Sequence, residues 1–373
     1  MPLDSCQKQV RIVYFVRNIT VSGGVKVLFQ HVRLLKQCGF DVAFLTRQDE
    51  FPGLFGEPPI VIANSRDPRL AGDVVVATKP SDMPWLIRAL RGQPSILCQL
   101  CQGDDIGDLR TRLGRLLTWG AFQEAPMSRI VETVRLFQRL RRYERSYRLP
   151  SVKMAVSAHL CQMLQQRYGV PCVVIPNGVD LEVFHPEECD RPLPVSEPWR
   201  IVSVGRFDTE AKGVADVLAA VAILKRAGYP VCFTRIAGEP ISGVEQDSGV
   251  VDQYWRAIPE RQVADILRKS HLLLVGSLEA EGFGLPALEA MACGLPCVLT
   301  KVPCYLGFDS PTDFAHFVPV RDPRGLAEGV IAVMRHSEYR EKLRQRGREV
   351  AERHSLEAVG EKLVSFFSGI HAT

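Results

Sequence analysis

Residues 281–296 read EGFGLPALEAMACGLP, and this stretch is the strongest indication of secondary-structure order in the chain. A short apolar run of strand-like composition comes before it. Gly282 and Gly284 then favour a loop, and Pro286 suits the first turn of a helix, where its missing N–H is not needed. Gly294 follows as the stop signal of that helix. The stretch therefore predicts a strand, a glycine loop and a helix in succession, the repeating unit of a parallel α/β sheet.

The same alternation of short apolar runs and amphipathic stretches extends along the chain in both directions. Predicted strands cover residues 10–16, 41–46, 74–78, 95–100, 153–157, 173–176, 200–204, 231–237, 271–275 and 297–300. Predicted helices cover residues 25–37, 129–148, 159–168, 214–227, 259–269, 286–293, 324–336, 339–352 and 356–367. This order predicts an α/β fold of two open parallel sheets covered by helices.

Length and composition limit the class of protein. The chain has 373 residues, enough for two domains of ordinary size. Apolar residues make up 46% and charged residues 24%, which excludes a disordered, collagen-like or coiled-coil chain. The net charge of +4 is far below that of a dedicated nucleic-acid binder, so no nucleic-acid partner is expected. Residues 1–8 carry no apolar signal segment and no run is long enough to span a membrane, so a cytoplasmic location is expected.

One segment has the composition of a linker. Residues 187–198 read EECDRPLPVSEP, and proline and charge together disfavour both helix and strand. We therefore predict an N-terminal domain over residues 1–186 and a C-terminal domain over residues 199–354. Residues 355–373 form a last helical segment, for which Ser355 is the predicted N-cap.

The cysteines do not indicate a metal site. The chain has 11 of them, scattered along its length, and only Cys98 and Cys101 form a CxxC pair. A zinc site needs a second pair or nearby histidines, and this pair lies alone in a strand-like run. Reduced thiols that pack as small apolar groups are the favoured interpretation over a metal or redox role.

The stretch 129–148 predicts a strongly basic helix, with seven Arg against two Glu. Apolar residues recur at helical spacing from Ile130 through Val134 and Phe137 to Leu140, and arginines occupy the other face. A solvated helix face is one interpretation of this pattern. Contact with an anionic membrane surface or an acidic acceptor is the other, and it would place the protein peripherally on the inner face of the membrane.

Two glycine-containing turns could bind phosphate. Gly23 and Gly24 follow the first predicted strand and precede a helix, whose N-terminal N–H groups suit an anion. The third glycine of the dinucleotide-binding fingerprint is absent, so a simple strand-to-helix turn is the alternative. In the second half, Arg206 and Lys212 flank the end of a strand in the segment 205–213. Two such cations can neutralise a diphosphate, or can be ordinary surface charges.

The opening stretch also contains two spaced carboxylates. Glu281 lies in the glycine loop, and Glu289 falls about one turn into the following helix. Carboxylates accept hydrogen bonds from vicinal hydroxyl groups such as those of ribose or a hexose. The alternative for Glu289 is a favourable interaction with the helix dipole. Glu279, nearby, is expected to be solvated.

Taken together, these motifs resemble retaining glycosyltransferases of the GT-B fold, of the large family numbered four. The matching segments are SGG at 22–24, PNGVD at 176–180 with Phe184, GRF…KG at 205–213, EGFGLPALEAMACGLP at 281–296 and, more weakly, VPVRDPRGLAEGV at 318–330. The resemblance implies two Rossmann-like domains facing each other across a cleft. It also implies a nucleotide-sugar donor in the C-terminal domain, an acceptor in the N-terminal domain and a last helix that crosses back to the N-terminal domain.

The resemblance assigns roles to the charged residues. It implies that Arg206 and Lys212 clamp the diphosphate of the donor. Glu281 would contact hydroxyl groups of the donor sugar near the reacting carbon, and Glu289 would hold the ribose. Retention in such enzymes is usually explained by front-face attack, so Glu281 is not expected to be a nucleophile. The implied activity is that of a hexosyl- or deoxyhexosyltransferase.

The resemblance also assigns roles to main-chain groups. Gly23 and Gly24 match a loop that closes on the phosphates, and the backbone N–H groups of Phe283, Gly284 and Leu285 would add donors to the leaving group. No cofactor or metal is expected, because the cations stabilise the departing diphosphate.

The chain departs from the family pattern at two places. Many relatives have a histidine after the strand that corresponds to 95–100, whereas this chain has Asp104 close by. Asp104 either has a polar role towards the donor sugar or the acceptor, or it caps a helix. His159 is interpreted as a structural residue. Residues 301–305 read KVPCY in place of a glycine pair, so the donor sugar is not identified.

The candidate acceptors are a cell-envelope polysaccharide, a lipid-linked oligosaccharide, a glycolipid and a secondary metabolite.

Other functions were weighed against this one. A catalytically inactive subunit that binds a nucleotide-sugar would keep the same fold, but the complete set of Arg206, Lys212, Glu281 and Glu289 argues against it. An epimerase or a phosphorylase on the same fold is a further alternative. A nicotinamide-dependent oxidoreductase is disfavoured because the first strand lacks the GxGxxG fingerprint.

Overall fold

The computed structural model describes residues 10–19, 22–48, 58–62, 64–117, 127–187 and 198–370. The described chain divides into two compact units. The first unit comprises Met1–Gln102, Phe137–Pro176 and Leu356–Thr373, and the second unit comprises Gly103–Leu136 and Asn177–Ser355. The predicted linker at 187–198 lies almost entirely outside the described residues.

Short strands rich in Val, Ile, Leu and Cys form both sheets. The strands are β1 (Arg11–Val16), β2 (Asp41–Thr46), β3 (Ile60–Val61), β4 (Val74–Ala77), β5 (Ile96–Cys101), β6 (Val152–Ala155), β7 (Cys172–Val174), β8 (Trp199–Val204), β9 (Val231–Ala237), β10 (Gln253–Arg256), β11 (Leu272–Val275), β12 (Cys297–Thr300) and β13 (His316–Val318). The central strands are apolar without alternation because helices cover both faces of a parallel sheet.

Helices connect most of these strands. They are α1 (Gly23–Gln37), α2 (Met83–Ala89), α3 (Asp105–Leu116), α4 (Met127–Tyr147), α5 (Ala158–Tyr168), α6 (Val214–Arg226), α7 (Gly243–Asp247), α8 (Glu260–Lys269), α9 (Leu285–Ala292), α10 (Pro303–Leu306), α11 (Pro323–Arg335), α12 (Ser337–Arg353) and α13 (Leu356–Gly369). Among the described helices, none combines the length and the apolar character that crossing a membrane requires.

Both sheets are parallel and doubly wound. Within the described residues the first unit has the strand order β3-β2-β1-β4-β5-β6-β7, and the second has β10-β9-β8-β11-β12-β13. In each sheet the chain moves outward from one central strand and then returns to that strand's other side. Ligands of open α/β sheets bind beyond the carboxyl ends of the strands where the order reverses. In the second unit this point lies between β8 and β11.

Each unit has an apolar core of its own. In the first unit the core includes Val13, Phe15, Leu45, Val75 and Leu86, all of them buried. In the second unit a larger core is built from the facing sides of the sheet, α6 and α11. These cores hold the strand ends, and the loops that follow them, in fixed positions.

The last helix packs in the first unit, as predicted. Phe367 of α13 lies against Tyr14 of β1, with their ring centroids 6.5 Å apart. Leu34 of α1 lies next to Gly360, where an added Cβ would be 3.7 Å from the leucine side chain. The close contact of α1 and α13 therefore uses a glycine on the helix face.

The division of the chain differs from the predicted domain boundary. Residues 103–136 and 177–186 belong to the second unit, although the sequence placed them in the N-terminal domain. The Asp104 N–H donates to the carbonyl of Ala280 (3.3 Å), and the Val179 N–H donates to the carbonyl of His354 (2.8 Å). These long-range hydrogen bonds tie both segments to the second unit, and no local composition signals them.

Candidate functional site

Two loops of the second unit meet at the point where its strand order reverses. The loop after β8 contains Gly205 and ends at Gly213, and the loop after β11 begins with Gly276. A Cβ atom on Gly213 would lie 1.7 Å from the carbonyl oxygen of Gly276, and Gly213 has a φ of +55°. Only glycine allows this backbone contact. The two loops are therefore held against each other by their backbones.

An ion pair joins the same two loops. The Lys212 Nζ lies 2.8 Å from the Glu281 Oε2, and the two side chains are 25% and 8% exposed. The aliphatic part of Lys212 packs over Gly205, where an added Cβ would lie 3.3 Å from the lysine Cδ. The structure therefore brings together two of the predicted site residues. Their charges are shielded from water more than those of a surface pair, so their interaction is less screened.

Arg206 also has acidic partners. Its Nε and Nη2 donate to the two carboxylate oxygens of Asp208 at 2.9 and 2.6 Å. Its Nε also lies 3.4 Å from the Oε2 of Glu239. The hydrogen bond to Asp208 raises the pKa of Arg206 and lowers that of Asp208. Because Asp208 is 60% exposed, this pair contributes little to stability and can exchange for another anion.

A buried arginine supports the loop after β8. The guanidinium of Arg235 is fully buried, pairs with Glu245 at 3.0 Å and donates to the carbonyl of Gly205 at 2.6 Å. It also donates to the carbonyl of Ser203. A buried charge needs such a complete set of partners. Sequence reasoning missed Arg235, because its position inside β9 carries no sign of the contact with Gly205.

The loop after β11 turns into α9 at a glycine where any side chain would be strained. Gly284 has a φ of +94°, and a Cβ there would lie 2.0 Å from the Cε1 of Tyr305. Phe283 and Leu285, on either side, are buried. Because the first turn of a helix has N–H groups without acceptors inside the helix, α9 offers donors at this end. Glu289 lies one turn further on and is 6% exposed.

Glu281 has a second polar partner that sequence reasoning missed. The Ser277 Oγ donates to the Glu281 Oε2 at 3.3 Å and lies 2.8 Å from the phenolic oxygen of Tyr305. Ser277 and Tyr305 are both buried. The position of Ser277, four residues before Glu281 on the same loop, was a signal that could have been used. Glu279, in contrast, is exposed and pairs with Arg321 at 3.0 Å, in agreement with its expected contact with solvent.

Asp104 caps a helix, which is one of the two roles expected for it. Its Oδ1 accepts the N–H of Gly107 at 2.9 Å, which caps the start of α3. A Cβ on Gly107 would lie 2.3 Å from the Asp104 Oδ2, so a side chain at this position would displace the Asp104 carboxylate. The Asp104 N–H donates to Ala280, so the cap lies beside the loop that carries Glu281.

Gly23 and Gly24 lie in the first unit, apart in the chain from the residues above. They form the start of α1, where the Ser22 Oγ accepts the N–H of Val25 at 3.4 Å. The Gln102 Nε2 donates to the carbonyl of Gly24 at 3.1 Å, and a Cβ on Gly24 would lie 2.7 Å from the Gln102 Oε1. The turn is thus a capped strand-to-helix connection, and its predicted role towards phosphates stays a prediction.

Two cysteines and a histidine singled out in the sequence lie outside the loops described above. Cys98 and Cys101 are buried in β5, and burial raises the pKa of Cys98 to about 12, which disfavours the reactive thiolate. His159 is exposed near the start of α5. Within the described ranges, no group of three or more His, Cys, Asp or Glu side chains is placed to hold a metal ion.

The basic helix α4 exposes apolar side chains to solvent. Leu140 is buried as the periodicity suggested, but Ile130, Val134 and Phe137 are exposed, with Val134 at 50%. At 3.6 residues per turn, positions 127, 130, 134, 137, 141 and 145 share one side of the helix. This side, which we term the α4 face, is apolar up to Phe137 and cationic from Arg141 onward.

Comparison with known proteins finds a family model that matches the C-terminal part of the chain. Residues 185–350 match the model of the family described as glycosyl transferases group 1. The chain is 23% identical over 229 residues to phosphatidyl-myo-inositol mannosyltransferase of Mycobacterium leprae. The aligned region covers 58% of this chain and 59% of the relative. The chain thus spans about three fifths of the length of that curated relative.

Solved structures share the fold over nearly the whole chain. Sucrose-phosphate synthase from Thermosynechococcus elongatus superposes with a TM-score of 0.75 at 18% identity, covering 98% of this chain and 100% of the other. An Anabaena protein in complex with UDP and glucose superposes with a TM-score of 0.69 at 15% identity, covering 97% of this chain and 100% of the other. The two parallel sheets with their surrounding helices match those of GT-B glycosyltransferases, which confirms the predicted fold class.

Proposed function

Starting from the match of residues 185–350 to glycosyl transferases group 1, we propose that this protein transfers a sugar from a nucleoside-diphosphate sugar to a hydroxyl acceptor. The second unit binds the donor. The Anabaena structure was solved with UDP and glucose, which supports a donor of this class for the shared fold.

One observation carries this proposal: the ion pair of Lys212 with Glu281, 2.8 Å apart, at the end of the sheet where α/β proteins bind ligands. The pair places a cation and an acceptor of hydroxyl hydrogen bonds side by side. A sugar diphosphate needs both, the cation for its phosphates and the carboxylate for its sugar hydroxyls.

Charge development explains how these groups would promote the reaction. Breaking the bond between the sugar and the diphosphate leaves negative charge on the phosphate and positive charge on the sugar ring. Lys212, Arg206 and the N-terminal end of α9 stabilise the phosphate, and the carboxylate of Glu281 favours the cationic sugar. This distribution is suited to a metal-independent, retaining transfer in which the leaving phosphate accepts the acceptor's proton. Glu289 holds the ribose of the donor.

Binding of the donor diphosphate would require Arg206 to exchange one of its acidic partners. Arg206 and Lys212 lie among three carboxylates, those of Asp208, Glu239 and Glu281. In the absence of donor these acids neutralise the cations. A diphosphate would replace Asp208 as the partner of Arg206, since that pair is exposed and contributes little.

The exposed side chains of the α4 face support the proposal that the acceptor lies at a membrane surface. Its exposed apolar half could enter the interface of a bilayer, and its arginines would contact anionic headgroups. The Mycobacterium leprae relative is named for a lipid acceptor, phosphatidyl-myo-inositol. We therefore favour a lipid-linked acceptor over a free metabolite.

The test is a panel of UDP-, GDP-, ADP- and dTDP-sugars, with binding measured by calorimetry and turnover by release of free nucleotide. At least one donor should bind and turn over, and Glu281→Gln should lower that turnover. The matched control is Glu279→Gln, since Glu279 lies two residues away, pairs with Arg321 and is exposed. Binding without turnover under any acceptor condition would favour an inactive donor-binding subunit. Absence of binding across the panel would overturn the proposal.

A further inference from the structure

A chain of hydrogen bonds runs from a buried phenol to the candidate site. The Tyr305 hydroxyl lies 2.8 Å from the Ser277 Oγ, which in turn lies 3.3 Å from the Glu281 Oε2. The same Glu281 oxygen lies 2.8 Å from the Lys212 Nζ. Four side chains, from the two loops and the short helix α10, are therefore linked in one row.

The direction of the protons in this row follows from its chemistry. An ionised carboxylate only accepts hydrogen bonds, so the Ser277 hydroxyl donates to Glu281. The proton between Ser277 and Tyr305 must then come from the phenol. Burial, together with the charge of Glu281, raises the pKa of Tyr305 well above its ordinary value, so the phenol keeps that proton. Hydrogen bonds that point the same way along a row strengthen one another.

The ring of Tyr305 also lies directly beneath the turn that starts α9. It occupies the space in which a side chain at position 284 would lie, 2.0 Å from an added Cβ. The hydroxyl of Thr300 donates to the carbonyl of Ser277 at 2.5 Å and so restrains the serine backbone. The phenol is consequently fixed by its ring, and it fixes Ser277 by its hydroxyl.

We propose that Tyr305 is a positioning residue which, through Ser277, holds the carboxylate of Glu281 in the orientation that receives the donor sugar. This inference rests on the proposed function, because the benefit of a fixed carboxylate is realised when donor binds. It assigns a purpose to the segment 301–305, whose sequence departs from the glycine pair of the resembling family. Tyr305 is 2% exposed, so it acts through Ser277 and does not touch substrate.

The test compares Tyr305→Phe, Ser277→Ala and the double variant, with Tyr339→Phe as the matched control. Tyr339 lies in the same unit and loses one hydrogen bond, to the His316 Nδ1 at 3.0 Å. With a donor that turns over, Tyr305→Phe should lower kcat about 5-fold, the scale of one hydrogen bond, with KM for the donor little changed. The double variant should be no slower than Ser277→Ala, because the two groups act in series.

Crystal structures of Tyr305→Phe and Tyr339→Phe give a readout that does not need activity. In Tyr305→Phe the separation of Glu281 and Lys212 should lengthen beyond hydrogen-bond distance or the carboxylate should become disordered, and in Tyr339→Phe the pair should be unchanged. An unmoved Glu281 in Tyr305→Phe would overturn the inference, as would an equal loss of kcat in the control. If no donor turns over, the proposed function fails, and the crystallographic comparison still decides the role of Tyr305.

Discussion

Lys212 and Glu281, 69 positions apart in the chain, approach to 2.8 Å between Nζ and Oε2 at the centre of the second sheet's carboxyl edge. The contact depends on two glycines, since any side chain at Gly213 would meet the backbone of Gly276. The cation and the carboxylate are therefore placed by the backbone, before any ligand is bound. Such preorganisation is what stabilises charge in a transition state at low cost.

Replacing Lys212 should remove one contact to the departing phosphate and leave Glu281 without its cation. For Lys212→Ala we expect a lower kcat/KM for the donor, corresponding to a loss of about 2–4 kcal/mol of transition-state stabilisation. Lys225→Ala is the control, because Lys225 pairs with Asp252 at 2.7 Å elsewhere in the same unit. Steady-state kinetics of both variants are the measurement. Equal kinetics for Lys212→Ala and the unmodified protein would remove Lys212 from the site.

Adding a methyl group at position 284 should destabilise the second unit. Gly284→Ala combines a φ of +94° with a contact of 2.0 Å to the ring of Tyr305, whereas Gly294→Ala has a φ of +75° and no atom closer than 3.7 Å. Overpacking costs about 1–3 kcal/mol beyond the backbone strain that both variants share. Urea unfolding followed by tryptophan fluorescence should show the larger loss for Gly284→Ala. Equal losses would mean that Tyr305 moves aside without cost.

Acid should destabilise the first unit through His31. Burial lowers the pKa of His31 from its ordinary 6.5 to about 4. The unfolded chain therefore binds a proton at His31 more readily than the folded chain. The contribution of neutral His31 to the free energy of unfolding is complete above about pH 6.5. It decreases by up to about 3 kcal/mol as the pH drops towards 4.

The measurement is the free energy of unfolding at pH 7.5 and pH 4.5. His31→Gln should show a smaller decrease over this interval than the unmodified protein. The Gln side chain keeps a polar group near the hydroxyl of Tyr14, which lies 3.2 Å from the His31 Nδ1. Identical pH dependence in both proteins would exclude His31 as the titrating group.

The α4 face should bind anionic vesicles. We expect the protein to sediment with vesicles that contain anionic lipid and not with neutral ones, and added salt should weaken binding. Ile130→Glu together with Val134→Glu should abolish it, because each places a charge in the apolar half of the face. Val244→Glu is the control, since Val244 is a similarly exposed apolar residue in α7. Sedimentation of the double variant equal to that of the unmodified protein would exclude the α4 face.

Sequence patterns predicted the fold and placed Lys212 and Glu281 in loops that follow strands, because these features are encoded locally. Strand, glycine loop and helix follow one another around Glu281, and the segment 205–213 follows the same rule around Lys212. Parallel strands bring their carboxyl ends to one edge, so loops after neighbouring strands must meet. The sequence therefore places Lys212 and Glu281 at the same edge of the sheet, whereas the 2.8 Å contact between them is known only from the structure.

Contacts that depend on tertiary packing were not predictable in this way. Tyr305 reaches Ser277 across 28 positions, and no periodicity in either segment indicates the contact. The spacing of Ile130, Val134 and Phe137 correctly indicated a helix, but it cannot tell which side of that helix packs. Asp104 illustrates the reverse case, since its role as a helix cap is local and was weighed from the sequence.

The rate of sugar transfer in excess chelator shows whether protein groups or a metal ion neutralise the departing diphosphate. If Lys212, Arg206 and main-chain donors neutralise the departing diphosphate, the rate in EDTA should equal the rate with added manganese. Loss of turnover in EDTA that manganese restores would show that a divalent ion does this work, and would contradict the account.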